Sequence, residues 1–239
     1  MADRTNRCTL VTGTDTGSGK TLVSCAVVAA LRVRGLDVGV YKPIETGCTR
    51  ARHGLQGSDV DALVTAAGNT QRRETAASYL YEMPAAPLVA AETVGERIDP
   101  LRLAADFERL AQQHDTVIVE GAGGLLVPIA DGYTYLDFAR QLRLPVLCVV
   151  GSRLGCVNHA LLTLRVLEQT TIHVLGYAVN TLAPERPGHV SADANRRTIA
   201  RFASHRDLGV FPYIEEAVRT DYDALGRIAE ETLDIDHFI

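Results

Sequence analysis

The segment VTGTDTGSGKT near the N-terminus combines the residue types that bind a phosphate chain. Gly13, Gly17 and Gly19 allow the backbone to curl closely around an anion, and the N–H groups at the start of the following helix lack partners within the helix. Lys20 adds a compact positive charge, and the hydroxyl of Thr21 can bind Mg²⁺. One residue too many lies between Gly13 and Gly19 for the strict phosphate-binding loop (P-loop). An ordinary glycine-rich turn is the alternative, but Gly-Lys-Thr at a helix start argues against it.

Lysine is rare in this chain, since only Lys20 and Lys42 occur among the 24 basic residues. A lysine retained in an arginine-rich chain indicates a position where a planar guanidinium cannot replace a compact ammonium. Lys42 follows one predicted strand, Glu120 ends the strand TVIVE and Asn180 ends the strand GYAVN. Because ligands of open parallel sheets bind beyond the carboxyl ends of the strands, these three residues are expected near the P-loop. Accident is the alternative for a sample of two lysines.

Glu120 opens the segment EGAGG, and the strand before it resembles a Walker-B strand, whose terminal acid binds Mg²⁺ directly or through water. Gly121 and Gly123 leave room for a ligand near the backbone. The alternative for Glu120 is an acid that caps a neighbouring helix. Asp59 and Asp61, in the segment GSDVDAL, stand at a predicted helix start, where acids commonly act as caps or dipole partners. Their residue types alone favour that structural role.

The segment RLGCVNHALLTL places Gly155 just before another predicted helix. The free N–H groups of that helix could hold a second anion, such as a carboxylate. Cys156 could be a nucleophile and His159 a base. Nothing in the sequence marks a lowered pKa of the thiol, and histidines on helices are more often packed or solvated. Both residues are therefore interpreted as structural.

Strand and helix patterns alternate along the chain. Continuous apolar strands between helices predict a parallel sheet covered on both faces, so the fold class is α/β. The expected architecture is a single domain over residues 1–239, a P-loop NTPase-like parallel β-sheet with helices on both faces. The predicted strands are residues 8–12, residues 38–41 and the segments TVIVEGAGGLLVPI, LPVLCVVG, HVLGYAVN and LGVFPYI. The predicted helices are residues 20–34, which Gly35 ends, a segment from about residue 59, and residues 101–113. The stretch YEMPAAPLVAAE is predicted to be a loop that precedes a short helix.

Composition limits the function classes. A hydrophobic fraction of 46% in 239 residues argues against disorder, and a net charge of -5 gives no support to nucleic-acid binding. Five cysteines without a C-x-x-C pair argue against a disulfide framework or a zinc site and favour a cytoplasmic location. The N-terminus MADRTNRC shows no secretory signal, and no apolar run has transmembrane length, so no membrane association is expected.

Together, these motifs resemble the dethiobiotin synthetases, ATP-dependent ligases of biotin synthesis. The resemblance rests on VTGTDTGSGKT, YKPIETG, Ser58-Asp59, VEGAGGLLVPI, LGCVNHALLT and VNTLAP, in the family's order. They span roughly residues 9–185, and the extra residue in the P-loop is also the family's own. The last fifty residues add little beyond GVFPYI, which resembles the family's adenine-side loop. The resemblance implies a parallel sheet with flanking helices, working as a homodimer.

The resemblance also implies nucleotide and metal contacts. The P-loop would wrap the phosphates of ATP, and Lys20 would contact the β- and γ-phosphates. Thr21, Asp59 and Glu120 would hold Mg²⁺, which favours a metal role for Asp59 over a cap. Asn180 would recognise adenine. The other nucleotide-binding residues implied are Thr16, Gly17, Ser18, Gly19, Pro212 and Tyr213.

The substrates implied are ATP, CO₂ or bicarbonate, and 7,8-diaminopelargonate (7,8-diaminononanoate), and the catalytic residues implied are Thr16, Lys20 and Lys42. Lys42 and Thr46 would face the carbamate and the transferred phosphoryl group. The turn 154–158 would present its helix N-terminus to the substrate carboxylate across the dimer interface. The substrate-binding residues implied are Thr46, Gly121, Gly123, Leu154, Gly155, Cys156 and Asn158.

The reaction implied is closure of a cyclic urea through a carbamate and a carbamic-phosphoric anhydride. One departure concerns the loop after Pro87, where many family members have histidine and this chain has Leu88. Two other functions fit the same fold: a partition- or septum-type switch ATPase and a small-molecule kinase. Switch ATPases usually carry a second lysine early in the P-loop, where this chain has Asp15. A kinase would need no bicarbonate.

Overall fold

A six-stranded parallel sheet forms the centre of the protein in the computed structural model, which describes residues 8–52, 54–184, 186 and 190–238. In chain order the strands are β1 (Thr9–Gly13), β2 (Val38–Tyr41), β3 (Ile44–Thr46), β4 (Thr49–Ala51), β5 (Gly54–Gln56), β6 (Tyr79–Tyr81), β7 (Thr116–Gly124), β8 (Pro128–Ala130), β9 (Tyr133–Thr134), β10 (Val146–Ser152), β11 (Val174–Thr181) and β12 (Asp207–Phe211). The central sheet has the order β12-β11-β10-β1-β7-β2, and its five strand pairs are parallel.

Helices cover both faces of this sheet. They are α1 (Lys20–Val33), α2 (Ser58–Ala66), α3 (Pro87–Thr93), α4 (Pro100–Gln113), α5 (Tyr135–Leu142), α6 (Cys156–Glu168), α7 (Ala192–Ala200) and α8 (Tyr222–Thr232). Buried side chains of α1, α2 and α8 share one core with alternate residues of the strands. Those of α3 to α7 share a second core with the remaining strand residues. The α/β architecture predicted from the sequence is therefore confirmed.

The first βα unit follows its sequence closely. All five residues of β1 are buried, as expected of a strand that lies in the centre of a sheet with both faces covered. Helix α1 ends at Val33, and Gly35 adopts the left-handed conformation (φ 87°) that closes a helix, with its N–H bonded to the carbonyl of Arg32 at 2.9 Å. The strand and helix bounds thus agree with the predicted ones to within one residue.

Several elements were not predicted. The loop CTRARHGLQGS contains the exposed hairpin β4–β5, and β3 pairs with β6 in a small separate parallel sheet. Helix α8 forms near the C-terminus because its buried Leu225 and Ala229 lie against α1. The side chain of Arg34 ties the C-terminal segment to α1 by hydrogen bonds of 2.6 Å to Glu230 and 2.7 Å to Asp236.

The strand order places a crevice at β1. Strand β1 lies between β7 and β10. After β1 the chain continues to β2 at one edge of the sheet, and after β10 it continues through β11 to β12 at the other edge. Ligands of open parallel sheets bind at such a switch point, beyond the carboxyl ends of the strands. Within the described part of the chain, no helix is both long and apolar enough to cross a membrane. The segment on which the expected absence of a secretory signal rests, residues 1–7, lies outside the described residues.

Candidate active site

The P-loop connects β1 to α1 at the crevice. Helix α1 begins directly after Gly19, which has a left-handed backbone (φ 83°), and no side chain caps it. A Cβ atom at this position would lie 1.9 Å from Nδ2 of Asn180, so glycine is required by both conformation and space. The uncapped first turn leaves N–H groups available to an anion in the loop.

Asn180 lies beneath the P-loop at the end of β11. Its Nδ2 donates to the carbonyl of Ser18 at 3.0 Å, while its Oδ1 is buried and has no hydrogen-bond partner. The hydroxyl of Ser18 is likewise buried without a partner. In this structure Asn180 therefore braces the loop, and its adenine role stays a prediction.

Asp15 makes three contacts that hold the P-loop in place. The carboxylate of Asp15 forms an ion pair with Arg153, which follows β10, and its Oδ1 also accepts the N–H of Thr16 at 2.7 Å. The carbonyl of Asp15 accepts a long hydrogen bond of 3.4 Å from Nζ of Lys20. Asp15 thus stands, paired with an arginine, where switch ATPases carry a lysine. Arg153 was not among the predicted site residues.

A buried cluster of charges stands beside the P-loop. Nζ of Lys42 lies 2.7 Å from Oδ2 of Asp59 and 2.6 Å from Oε1 of Glu120. The hydroxyl of Thr21 donates to the same oxygen of Glu120 at 2.8 Å. Lys42 is 3% exposed and Glu120 is 0% exposed. Four residues from separate elements thus meet at one point. Lys42 and Glu120 were expected there from their places at strand ends, whereas Asp59 was not.

Electrostatics within the cluster favour the charged forms of Lys42 and Asp59. Burial alone would lower the pKa of Lys42, but the charges of Glu120 and Asp59 outweigh it and raise the pKa above its usual value. Burial would likewise raise the pKa of Asp59, and the ammonium of Lys42 outweighs it and lowers the pKa. Burial lowers the pKa of Lys20, whose ammonium lies beside Lys42 as well as Glu120.

The donor set fits Mg²⁺. Thr21, Asp59 and Glu120 offer only oxygen ligands, and Oε2 of Glu120 is fully buried without a hydrogen-bond partner. A buried carboxylate oxygen without a partner is costly unless a ligand meets it. Among the described residues, no group of three or more His, Cys, Asp and Glu side chains forms a metal cluster. Two carboxylates and a hydroxyl suit Mg²⁺, which usually completes its shell with substrate phosphates and water.

Thr21 and Asp59 line a cleft of about 690 Å³, whereas Glu120 is fully buried and is not among the lining residues. The P-loop forms one wall with Thr16, Lys20 and Thr21, and Lys42 and Thr46 form another. Residues 84–87, which include two prolines, also line the cleft, and Gly123 of β7 lines it near Thr16. Leu88 is not among the lining residues, although its neighbour Pro87 is. The volume is sufficient for a ligand of nucleotide size.

Several predicted residues lie outside this cleft. Gly121 is buried beneath it, against Tyr135. Pro212 and Tyr213 follow β12 and are half-buried. The turn that opens α6 also lies outside the cleft lining, with Leu154 fully exposed and Cys156 buried. The other residues predicted there, Gly155 and Asn158, are exposed.

The residues interpreted as structural lie away from the chemistry. His159, within α6, is half-buried and accepts the hydroxyl of Thr163 on its carbonyl at 2.9 Å. Asp61 binds the side chains of Gln56 and Arg73, each at 2.5 Å. His159 and Asp61 do not line the cleft.

One charged residue of the cleft was not predicted from the sequence. Glu45, on β3 between Lys42 and Thr46, is 4% exposed and lines the cleft. Its two carboxylate oxygens accept the backbone N–H groups of Asp59 and Val60, each at 2.9 Å. Its place in the segment YKPIETG, between two predicted site residues, was the available signal.

Fold and site together define a P-loop nucleoside triphosphate-binding protein. The protein resembles MinD from Pyrococcus horikoshii, a septum site-determining protein solved with Mg-ADP, with a TM-score of 0.54 over 97% of this chain and 93% of the other at 17% identity. It also resembles a ParA family ATPase from Chlorobium tepidum, with a TM-score of 0.53 over 96% and 93% of the two chains at 14% identity. At these identities the likeness shows the fold alone.

Sequence comparison identifies the family. A family model described as an AAA domain matches residues 7–220. The ATP-dependent dethiobiotin synthetase BioD 1 of Escherichia coli K12 is 36% identical over 86% of this chain and 90% of its own length. The corresponding BioD of Anaeromyxobacter dehalogenans is 38% identical over 87% and 91%. The chain therefore belongs to the dethiobiotin synthetase family and is an ATP-dependent ligase of biotin synthesis, which confirms the resemblance seen in its motifs.

Proposed function

We propose that this enzyme closes 7,8-diaminopelargonate with CO₂ to dethiobiotin, using ATP and Mg²⁺ in the cytoplasm. The observation that carries the proposal is the convergence of both lysines of the chain on one cleft beside two carboxylates. A ligase that phosphorylates a carbamate brings two anions together and needs fixed positive charge at that point. Lys20 and Lys42, which both line the cleft, supply this positive charge.

The reaction proceeds in three steps. One amine of the diamine attacks CO₂ and loses a proton, which forms a carbamate. An oxygen of the carbamate attacks the γ-phosphorus of ATP, and the bond to ADP breaks, which gives a carbamic-phosphoric anhydride. The second amine attacks the carbamoyl carbon, inorganic phosphate leaves with the bonding electrons, and the amine proton passes to solvent. No protein nucleophile is required.

The residues of the cleft divide this work. The P-loop N–H groups and Lys20 bind the β- and γ-phosphates, and Lys42 with Thr46 orients the carbamate toward the γ-phosphate. Thr21, Asp59 and Glu120 would hold Mg²⁺, which when bound neutralises negative charge on the phosphates. Thr16 lies at the mouth of the cleft, within reach of both reactants. Asn180, Pro212 and Tyr213 are proposed to contact adenine.

An apolar cleft of about 400 Å³ adjoins the first one at Thr16 and Val127. Its walls include Leu126, Leu162 and Val166, so it offers hydrocarbon contact next to the proposed site of carbamate chemistry. The alkyl chain of the diamine suits this cleft. Its carboxylate is proposed to bind the helix N-terminus in turn 154–158 of the partner subunit's chain, because the turn of the same chain is not part of the first cleft. Gly123, which lines the first cleft, is proposed to leave space for the reacting end.

The reaction is tested directly by product analysis. Incubation of the enzyme with ATP, Mg²⁺, bicarbonate and the diamine is expected to yield the cyclic urea, detected by mass spectrometry, with one ADP per ring. Omission of bicarbonate or of the diamine should abolish ADP release. ATP hydrolysis that ignores both compounds would contradict the proposal and favour a switch ATPase. ADP release that needs the diamine but not bicarbonate would favour a kinase.

We further propose a homodimer whose interface completes the substrate site. Three leucines next to the apolar cleft and the α6 turn are exposed: Leu126, Leu154 and Leu162. Exposed apolar surface beside a binding cleft is typical of an interface, and a second copy of the chain would cover it.

Replacing Leu162 with arginine is expected to dissociate the dimer and to raise the KM for the diamine, because a charge would be desolvated in the interface. Sedimentation velocity and steady-state kinetics measure the two effects. Leu101→Arg is the matched control and should change neither, since Leu101 on α4 is 73% exposed against 60% for Leu162. A wild-type enzyme that is fully active as a monomer at assay concentration would contradict the proposal.

A further inference from the structure

Glu45 occupies an unusual place for a buried carboxylate. It is carried by β3, three residues after Lys42 and one before Thr46, and its oxygens bond to backbone N–H groups of α2. It is only 4% exposed, so its carboxylate is largely removed from water. Keeping a glutamate at this cost indicates that its two hydrogen bonds matter.

Helix α2 has no cap of its own. Its N-cap residue is Gly57, which has an extended backbone (φ -95°, ψ 121°) and makes no side-chain hydrogen bond. The N–H groups of Asp59 and Val60, which a capping side chain usually satisfies, are bonded instead by Glu45. Glu45 therefore acts as the cap of α2 from a different element of the chain.

The side chain of Glu45 occupies the space that a side chain at position 57 would need. A Cβ atom at Gly57 would lie 2.2 Å from Oε2 of Glu45, so the glycine is required by the carboxylate and not by its backbone conformation. Removal of the Glu45 side chain would free space for an ordinary capping residue at position 57. The residues that positions 45 and 57 tolerate therefore depend on each other.

We propose that Glu45 is a positioning residue that holds Asp59 for metal binding and phosphoryl transfer. One of the two N–H groups that it binds belongs to Asp59 itself, at 2.9 Å, and the carboxylate of Asp59 lies 2.7 Å from Nζ of Lys42. Glu45 thereby links the first turn of α2 to the strand segment that carries Lys42 and Thr46. The inference rests on the proposed function, in which Asp59 holds Mg²⁺.

The test uses a cycle of three variants of the full-length enzyme. Glu45→Ala removes the cap, Gly57→Asp creates a clash with Glu45, and the double variant carries a conventional aspartate cap in the space vacated. We expect each single variant to weaken Mn²⁺ binding, measured by electron paramagnetic resonance with a non-hydrolysable ATP analogue, by about tenfold. The double variant is expected to recover most of that affinity, because the carboxylate introduced by Gly57→Asp would then accept the same N–H groups.

Two further measurements separate positioning from general stability. Amide hydrogen exchange at Asp59 and Val60 should accelerate in Glu45→Ala and slow again in the double variant. Asp221→Ala is the matched control, since Asp221 caps α8 by accepting the N–H of Ala224 at 2.9 Å and does not line the cleft. It should lower the melting temperature as a lost cap does, without changing Mn²⁺ affinity.

The possible outcomes differ for the inference and for the function beneath it. If Asp59→Asn weakens Mn²⁺ binding and Glu45→Ala does not, Asp59 is a ligand and the inference about Glu45 is wrong. Loss of Mn²⁺ affinity in Asp221→Ala to the same degree would also overturn it, because the effect would then follow stability. If Asp59→Asn binds Mn²⁺ as well as the wild type, the metal assignment fails and the inference fails with it. Recovery in the double variant supports both.

Discussion

Replacing Glu120 with glutamine is expected to leave the protein folded and to lower kcat by about 100-fold, which is about 2.7 kcal/mol of transition-state stabilisation. Glu120 lies within β7 and is 0% exposed, so an isosteric amide preserves the packing. It does not preserve the charge or the acceptor pattern of the carboxylate. The expected loss comes from the metal site and not from the fold.

The hydrogen bonds around Glu120 determine how the amide must orient. Oε1 accepts from both Lys42 at 2.6 Å and Thr21 at 2.8 Å, so the amide oxygen has to take that position. The amide nitrogen is then directed to the position of Oε2, the buried oxygen without a partner. A donor group would replace an acceptor at the position best suited to a cation.

The measurement is kcat as a function of Mg²⁺ concentration, with circular dichroism and a melting curve to verify folding. Glu82→Gln provides the control, because Glu82 is an exposed glutamate whose ion-pair partner is Arg50 on the β4–β5 hairpin. This control should be silent, since exposed ion pairs contribute little. Wild-type turnover of Glu120→Gln at limiting Mg²⁺ would show that Glu120 has only a structural role.

Local sequence patterns predicted the elements that position the site. The P-loop was evident because glycines, one lysine and a following helix are adjacent in the chain. Lys42, Glu120 and Asn180 could be ranked together because a parallel sheet brings the carboxyl ends of its strands to one edge. That rule places residues near each other, but it does not state which of them touch.

Contacts between distant segments could not be predicted in this way. Asp59 illustrates the limit, because an acid in the first turn of a helix has the pattern of a cap. In the structure Glu45, fourteen residues earlier, binds the N–H groups of that turn, and the carboxylate of Asp59 is directed to Lys42. No local sequence pattern shows that Glu45, and not an acid of the helix itself, caps this turn. The pairing of Asp15 with Arg153, across 138 positions, escaped prediction for the same reason.

The structure strengthens the prediction for Lys42 that its rarity first suggested. Its ammonium contacts two carboxylates at 2.7 and 2.6 Å, and the residue lines the cleft although it is only 3% exposed. Lys42→Met would leave Asp59 and Glu120 without their cation, and folding would be in question. Lys42→Arg keeps the charge and is therefore the sharper variant.

We expect Lys42→Arg to lower kcat by about 100-fold while ATP affinity changes much less. The guanidinium is longer, planar and forked, so it cannot place one N–H group at the single point between Asp59 and Glu120 where Nζ lies. A displacement of about 1 Å in a residue that orients the reacting groups can cost roughly 100-fold in rate. The P-loop and Lys20 remain, so the nucleotide phosphates keep their main contacts.

The experiment measures kcat and ATP affinity for the purified variant, with circular dichroism as the test of folding. Arg50→Lys is the reverse exchange at an exposed ion pair with Glu82 and should leave both values unchanged. If Lys42→Arg turns over within about threefold of the wild type, less than about 0.7 kcal/mol, Lys42 contributes only its charge. If kcat falls and the charge is retained, the position of the ammonium is what the reaction requires, because charge alone is common to both side chains.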